Sequence, residues 1–268
     1  MKLYYILAFG TLLCSQLCSS ASAAMASEEP YNSGIVIRWK DCKQRIDGFG
    51  IAQAGWAKEL FAFKNREQVM DKMFGKDGLC LNILRGEIFP HYWENETDKD
   101  FNLNDDIHIE LSDSDFINKS DDLLRRGQLW LTLKAKNKYH ISKLVFSTWS
   151  APAWMKSNGK VSNGRLKTEC YTDFANYLAA FYNAYKSKGI APYAISPSNE
   201  PGYAAPWNSS LWTADEMGKF ITSYLGPTFR KENIPAKIIF GENPLWAVYM
   251  PQLKMVSSKD FTDTLLHN

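Results

Sequence analysis

Polar and aromatic residues gather just after short apolar runs in this 268-residue sequence. Arg85, Glu87, His91, Tyr92 and Trp93 follow Leu79–Leu84. Trp149 and Trp154 follow Lys143–Ser147, and Asn199-Glu200-Pro201 follows Tyr193–Ser196. Glu242, Asn243 and Trp246 follow Lys237–Phe240. If the runs are strands, these residues sit at strand C-terminal ends, where α/β barrels carry catalytic groups. Hydrolysis of a glycoside needs two carboxyl groups across the scissile bond and apolar faces for the sugar. Glu200 suits the proton-donating carboxyl. Asn199 can hydrogen-bond the sugar 2-hydroxyl, a bond that strengthens in the transition state. The Arg85 guanidinium can hold a nearby carboxylate ionised. Blander readings stand beside these. Glu200 alone would read as a loop acid, and Arg85 as an ion-pair partner of Glu87 or Asp47. Trp154 reads equally as core or rim packing. Trp56, Trp93, Trp207 and Trp212 read as packing or outer subsites.

Other chemistries find no support. The chain lacks G-x-x-x-x-G-K-[ST], G-x-G-x-x-G, H-E-x-x-H, C-x-x-C and G-x-S-x-G. Ser157-Asn-Gly-Lys160 spells S-x-x-K, but Asn-Gly makes it a turn where that chemistry needs a helix start. Asp98-x-Asp100-x-Asn102 opens like a calcium loop. Leu103 then replaces the required Gly, and Glu110 falls one residue late. The acidic stretch from Glu94 to Asp115 is read as a solvated loop, and no metal or cofactor is expected. A net charge of +2, with no basic run, argues against a nucleic-acid groove.

The N-terminus reads as a secretory signal over residues 1–23. Lys2 precedes an apolar stretch, Leu3–Leu13, and Ala21-Ser-Ala23 forms the cleavage pattern. The stretch is too short for a transmembrane segment. The mature protein is expected outside the cytoplasm: secreted, periplasmic or at the cell surface. It would keep Cys42, Cys80 and Cys170, too few and too widely spaced for a disulfide framework. Cys80, flanked by Leu79 and Leu81, reads as a buried small hydrophobe. Sequons occur at Asn95, Asn118 and Asn208.

Strand and helix signals alternate from residue 46. Strands are expected over 46–49, 79–84, 143–147, 193–196, 237–240 and 261–266. Arg66–Phe74 reads as a helix closed by Gly75, and Phe116, Leu123, Leu124, Trp130 and Leu131 recur at helical spacing. Phe174, Tyr177, Leu178, Phe181 and Tyr185 form another helical stripe, stopped by Gly189. Thr213-Ala-Asp-Glu216 is a capping box. Such alternation argues for a parallel sheet in an α/β fold. Six strands use the whole chain, whereas a (β/α) barrel closes with eight. The sheet is therefore open, or the barrel unfinished. Ile35–Trp39, within a segment spanning 24–45, alternates like an edge strand outside it.

Four motifs together are more specific. Ile46-Asp-Gly-Phe-Gly50, Leu84-Arg-Gly-Glu87, Ser147-Thr-Trp-Ser-Ala-Pro-Ala-Trp-Met-Lys156 and Ser196-Pro-Ser-Asn-Glu-Pro201 resemble glycoside hydrolase family 30. The likeness runs from about residue 34 onward. The family holds glucosylceramidases, β-1,6-glucanases, β-1,6-galactanases and glucuronoxylanases. The resemblance implies a (β/α)8 TIM barrel over 46–268, incomplete at about six of eight strand–helix units. The N-terminal strand would belong to a β-sandwich beside it. It also implies a retaining mechanism on a β-linked carbohydrate, with no cofactor. By position Glu200 matches the acid/base and Asn199 the 2-hydroxyl ligand. Arg85 and Trp149 match sugar-site residues, and Trp154, Glu87 and His267 are weaker matches for substrate binding. The family's nucleophile, a Glu ending the seventh strand, is expected beyond residue 268. Glu87 and Glu242 match positions that are not the nucleophile. A catalytically inactive carbohydrate-binding chain, or a non-functional truncated product, is the alternative.

Overall fold

The computed structural model describes residues 38, 40–41, 45–53, 56–93, 95–97 and 127–242. The chain divides into two units, Met1–Asp47 and Gly48–Asn268. Within the first, the described residues include a turn in which the Asp41 N–H donates to the Arg38 carbonyl. Among its described residues the second holds five strands: β1 (Gly50–Ala52), β2 (Ile83–Ile88), β3 (Lys143–Thr148), β4 (Ala194–Ser196) and β5 (Lys237–Ile238). They pair in sequence order, every pair parallel. Helices lie between them: α1 (Ala57–Ala62), α2 (Arg66–Phe74), α3 (Gln128–Tyr139), α4 (Tyr171–Ser187), α5 (Ala214–Phe220) and α6 (Gly226–Lys231). A π-helical turn, Ile221–Leu225, joins the last two. This is the α/β pattern of a (β/α) barrel. The signal segment, the 24–45 strand, the acidic loop and the sixth strand fall wholly or mostly outside the described residues. No helix among the described residues is long and apolar enough to cross a membrane.

The elements follow from the sequence pattern. Helix α4 buries Phe174, Tyr177, Leu178, Phe181 and Tyr185, one stripe at helical spacing. It ends in a left-handed Gly189. Its N–H donates to the Lys186 carbonyl, and that of Ile190 to Tyr185, which satisfies the final carbonyls. At the start of α5 the capping box closes both ways. Glu216 N–H donates to Thr213 Oγ1 at 3.2 Å, and Thr213 N–H donates to Glu216 Oε2 at 2.6 Å. The core sits between sheet and helices. The Phe146 ring on β3 meets Phe181 and Tyr185 of α4 edge-on, at centroid distances of 5.1 and 5.0 Å. Gly86 faces the same ring, where an added Cβ would lie 2.6 Å from a Phe146 carbon. Only glycine fits between Arg85 and Glu87.

Three expectations need correction. The strand placed at 79–84 begins only at Ile83 and continues through Arg85 and Glu87. Leu79–Asn82 is a connection. Leu79 N–H donates to the Lys72 carbonyl and Leu81 N–H to Met73, folding the chain against the end of α2. Cys80 lies within it at φ 51 and is exposed, so it is not a buried hydrophobe. Its thiol contacts the carbonyls of Gly75 and Lys76 at 3.4 Å. Likewise the first strand starts at Gly50, and Phe49 remains 70% exposed.

Candidate active site

The pleat sorts β2 and β3 into two faces. Leu84, Gly86 and Ile88 turn with Phe146 toward the helices, which leaves Arg85 and Glu87 on the opposite face. The register sets Arg85 beside Val145 and Glu87 beside Ser147. β1 reaches only as far as Ala52 opposite Arg85. The backbone of Glu87 thus lacks a strand partner on that side. The Gln128 side chain, from α3, takes the place of one. Its Oε1 accepts from Glu87 N–H at 2.7 Å, and its Nε2 donates to the Glu87 carbonyl at 2.8 Å. Tyr185 Oη holds the same amide at 2.9 Å. One helix residue therefore fixes the strand end that carries Arg85 and Glu87.

Arg85 is the hub. Its Nη2 donates to Asn199 Oδ1 at 2.7 Å. Nε and Nη2 each lie 3.2 Å from Glu242 Oε1. Its guanidinium carbon stands 4.6 Å from the centroid of the Trp149 ring. Ser147 Oγ donates to the other Glu242 oxygen at 2.8 Å. Strands β2, β3, β4 and β5 thus each send a group, or the residue just past their end, into one cluster. The weighing of Arg85 against Glu87 as an ion-pair partner resolves to Glu242. Both Glu242 oxygens are engaged. Because Asn199 Oδ1 accepts from Arg85, its Nδ2 amino group points elsewhere and has no partner among the described residues.

Glu200 adjoins this cluster on a strained backbone. Its φ is 47, left-handed and rare for a side chain bearing a Cβ. Its N–H donates to the Glu242 carbonyl at 2.9 Å, and its carbonyl accepts from Tyr203 N–H at 2.9 Å. Next to it, Asn199 N–H donates to the Thr148 carbonyl at 2.6 Å. The turn is tied to β3 on one side and to Glu242, in the segment after β5, on the other. The half-buried Glu200 side chain is aimed by that frame.

The weaker candidates have contacts of their own. Trp154 is half-buried, and its indole N–H donates to the Trp93 carbonyl at 3.2 Å. His267 lies outside the described residues. Glu87 is 7% exposed, with the Asn208 side chain close enough to pull on its carboxyl. Burial pushes its carboxyl up to about 8, against the opposing pull of Asn208 and the Arg85 charge. Of the sequons, Asn208 is half-buried, whereas Asn95 is exposed. Beside Asn208, Lys156 is 1% exposed. Its Nζ donates to Ser209 O at 2.7 Å and to Ser150 Oγ at 3.0 Å, and burial lowers it to about 8.

A raised carboxyl has a signed consequence for stability. Between about 4.5, its ordinary value, and about 8, folded Glu87 keeps a proton that the unfolded chain has released. Its contribution is complete below 4.5 and is lost as pH rises through 8, by roughly 3–5 kcal/mol. Glu87→Gln keeps the shape and removes the titration. Its melting temperature should therefore gain on the native protein as pH rises from 5 to 8.5. A gap between the two that stays constant with pH would show that Glu87 carries no such proton.

Parallel strands in sequence order, with polar and aromatic groups converging past their C-terminal ends, define a (β/α) barrel of the kind many hydrolases use. The glycosyl hydrolase family 30 TIM-barrel domain model matches residues 46–242. The chain belongs to glycoside hydrolase family 30. It is 29% identical over 224 residues to a putative glucosylceramidase 3 of Caenorhabditis elegans, covering 78% of this chain and 41% of that protein. It is 27% identical over 238 residues to the glucuronoxylanase XynC of Bacillus subtilis, covering 87% and 46%. The chain thus spans less than half the length of these curated relatives. In fold it matches the catalytic domain of a family 30 xylanase C from Talaromyces cellulolyticus. The TM-score is 0.66 and the identity 24%, over 83% of this chain and 52% of that one.

The sequence did not reveal the Arg85–Glu242–Ser147 chain or the burial of Lys156. One signal was present for the second: Lys156 is the only charged residue in the motif that runs from Ser147.

Proposed function

We propose that the protein is a secreted retaining hydrolase of β-linked glycans. In this reading Glu200 is its acid/base, and Arg85, Trp149 and Asn199 bind the reacting sugar. The carrying observation is the Glu200 turn, left-handed and pinned to Glu242 beside the Arg85 hub. Glu200 gives its proton to the leaving oxygen and later takes one from the incoming water. The Nδ2 of Asn199, which has no partner among the described residues, donates to the 2-hydroxyl oxygen, since Arg85 has fixed the amide's orientation. Trp149, with Arg85 against its ring, presents an indole to the sugar. Glu242, held at both oxygens, serves as the counter-charge of Arg85 and not as the nucleophile. The nucleophilic carboxylate comes from outside the described residues. Secretion rests on the apolar run and the Ala-Ser-Ala23 site. β-1,6-linked glucans or galactans and glucuronoxylan are the favoured substrates.

Stereochemistry is the test. Proton NMR of the first product formed should show the β-anomer before mutarotation. Initial release of the α-anomer would rule out retention.

A further inference from the structure

The loop after β4 treats its aromatic residues in two ways. Trp212 is 6% exposed and part of the core. Trp207 and Tyr203 are 54% and 44% exposed, with ring centroids 6.3 Å apart at 61°. Paired exposed aromatics mark contact surfaces more than single ones do. These two stand on a rigid support. Tyr203 N–H closes the Glu200 turn. Ser209 Oγ donates to the carbonyls of Ala205 and Trp207, at 2.9 and 3.1 Å. The far limb of the loop is laced to the loop after β3. Ser209 N–H donates to Val161 O, Leu211 N–H to Gly164 O, and Asn163 N–H to Ser209 Oγ. The buried Lys156 holds it as well, its Nζ donating to the Ser209 carbonyl at 2.7 Å.

We propose that Tyr203 and Trp207 form a binding platform for a sugar ring on the leaving-group side of the scissile bond, a reading that rests on Glu200 as the acid. The acid acts on the oxygen that joins the reacting sugar to its leaving group. Tyr203 is tied to that acid by a single turn, so the platform continues the site outward. The loop that carries the pair has no charged residue between Glu200 and Asp215, which favours a neutral ligand. It is ring-shaped, because an edge-to-face pair set among Gly202, Ala204, Ala205 and Pro206 offers exposed ring faces. A pyranose sets its C–H face on such a ring and keeps its hydroxyls in water, where an alkyl chain would stay wet. The preset loop keeps the ordering cost of binding low. The substrate class is therefore an oligo- or polysaccharide with at least one sugar in its leaving group.

Calorimetry on the full chain would use a β-1,6-linked gluco-tetraose, a β-1,4-linked xylo-tetraose and octyl β-glucoside as probes. The native protein, Tyr203→Ala, Trp207→Ala and Glu200→Gln would be compared. At least one tetraose should bind the native protein, at least tenfold more weakly to Trp207→Ala and severalfold more weakly to Tyr203→Ala. Melting temperatures should be unchanged, since both rings are exposed. Glu200→Gln should bind that tetraose normally and hydrolyse it roughly 10²–10⁴-fold more slowly. Tetraose binding that is unaffected by Trp207→Ala overturns the platform and leaves the assignment of Glu200 standing. Hydrolysis at the native rate in Glu200→Gln removes that assignment, even where the binding loss persists. Binding of neither tetraose, or Trp207 dependence confined to octyl β-glucoside, overturns the sugar platform.

Discussion

Glu200→Gln should lower kcat/KM on an unactivated β-linked oligosaccharide by roughly 10²–10⁴-fold, the usual worth of a positioned general acid. The same change should cost far less in the first step with a 2,4-dinitrophenyl glycoside, whose leaving group departs without protonation. The contrast arises because Gln keeps the volume and hydrogen-bonding shape of Glu and loses only the transferable proton. The fold should not respond. The backbone at this position already sits at φ 47, held by Glu242 and Tyr203, and Gln meets the same strain there as Glu. A melting temperature within a degree or two of native would separate a chemical loss from a structural one. Added azide should rescue the variant, because a small anion needs no base to attack a glycosyl intermediate, and the product should be the β-glycosyl azide. Equal losses on both substrates would mean that Glu200 positions the sugar and is not the proton donor.

What could be read from the residues divides by range. Local signals were faithful. The helix Arg66–Phe74, the α4 stripe and the Thr213 capping box are set by neighbours within a few turns, and each formed where expected. The β2 strand was misplaced because the rule for buried strands looks for unbroken apolar runs. Arg85 and Glu87 break the run. They lie on the face turned from the helices, where a polar strand residue is tolerated when other strand ends supply its partners. Leu79 and Cys80 misled for the opposite reason. They are apolar but belong to a turn closed against α2 by backbone bonds, which composition does not reveal. Within the site, residue types were legible and pairings were not. Arg85 and Glu242 lie 157 positions apart, and only the sheet order brings them together.

That long-range pairing makes Arg85 the residue whose loss should spread furthest. Arg85→Met strips donors from Glu242 and Asn199 together and removes the cation from the face of Trp149. The Arg85 and Glu242 side chains are 22% and 20% exposed, so solvent relieves part of the stranded charge. The stability loss should then be about 1–3 kcal/mol, below that of a fully buried pair broken on one side. Activity should fall further than stability, by about 10²-fold or more, because Asn199 is freed to turn its oxygen toward the sugar. Arg85→Lys divides the two effects. An ammonium can restore the charge opposite Glu242 and so recover much of the melting temperature. It cannot serve Glu242 through a fork while also holding Asn199 Oδ1 and lying flat on an indole. Its kcat/KM should therefore stay close to that of Arg85→Met. Ser147→Ala, which removes the bond to the second Glu242 oxygen, should lower activity only severalfold because the Arg85 contacts survive. If Arg85→Lys restores kcat/KM along with stability, charge alone suffices and the fixed orientation of Asn199 is not what Arg85 provides.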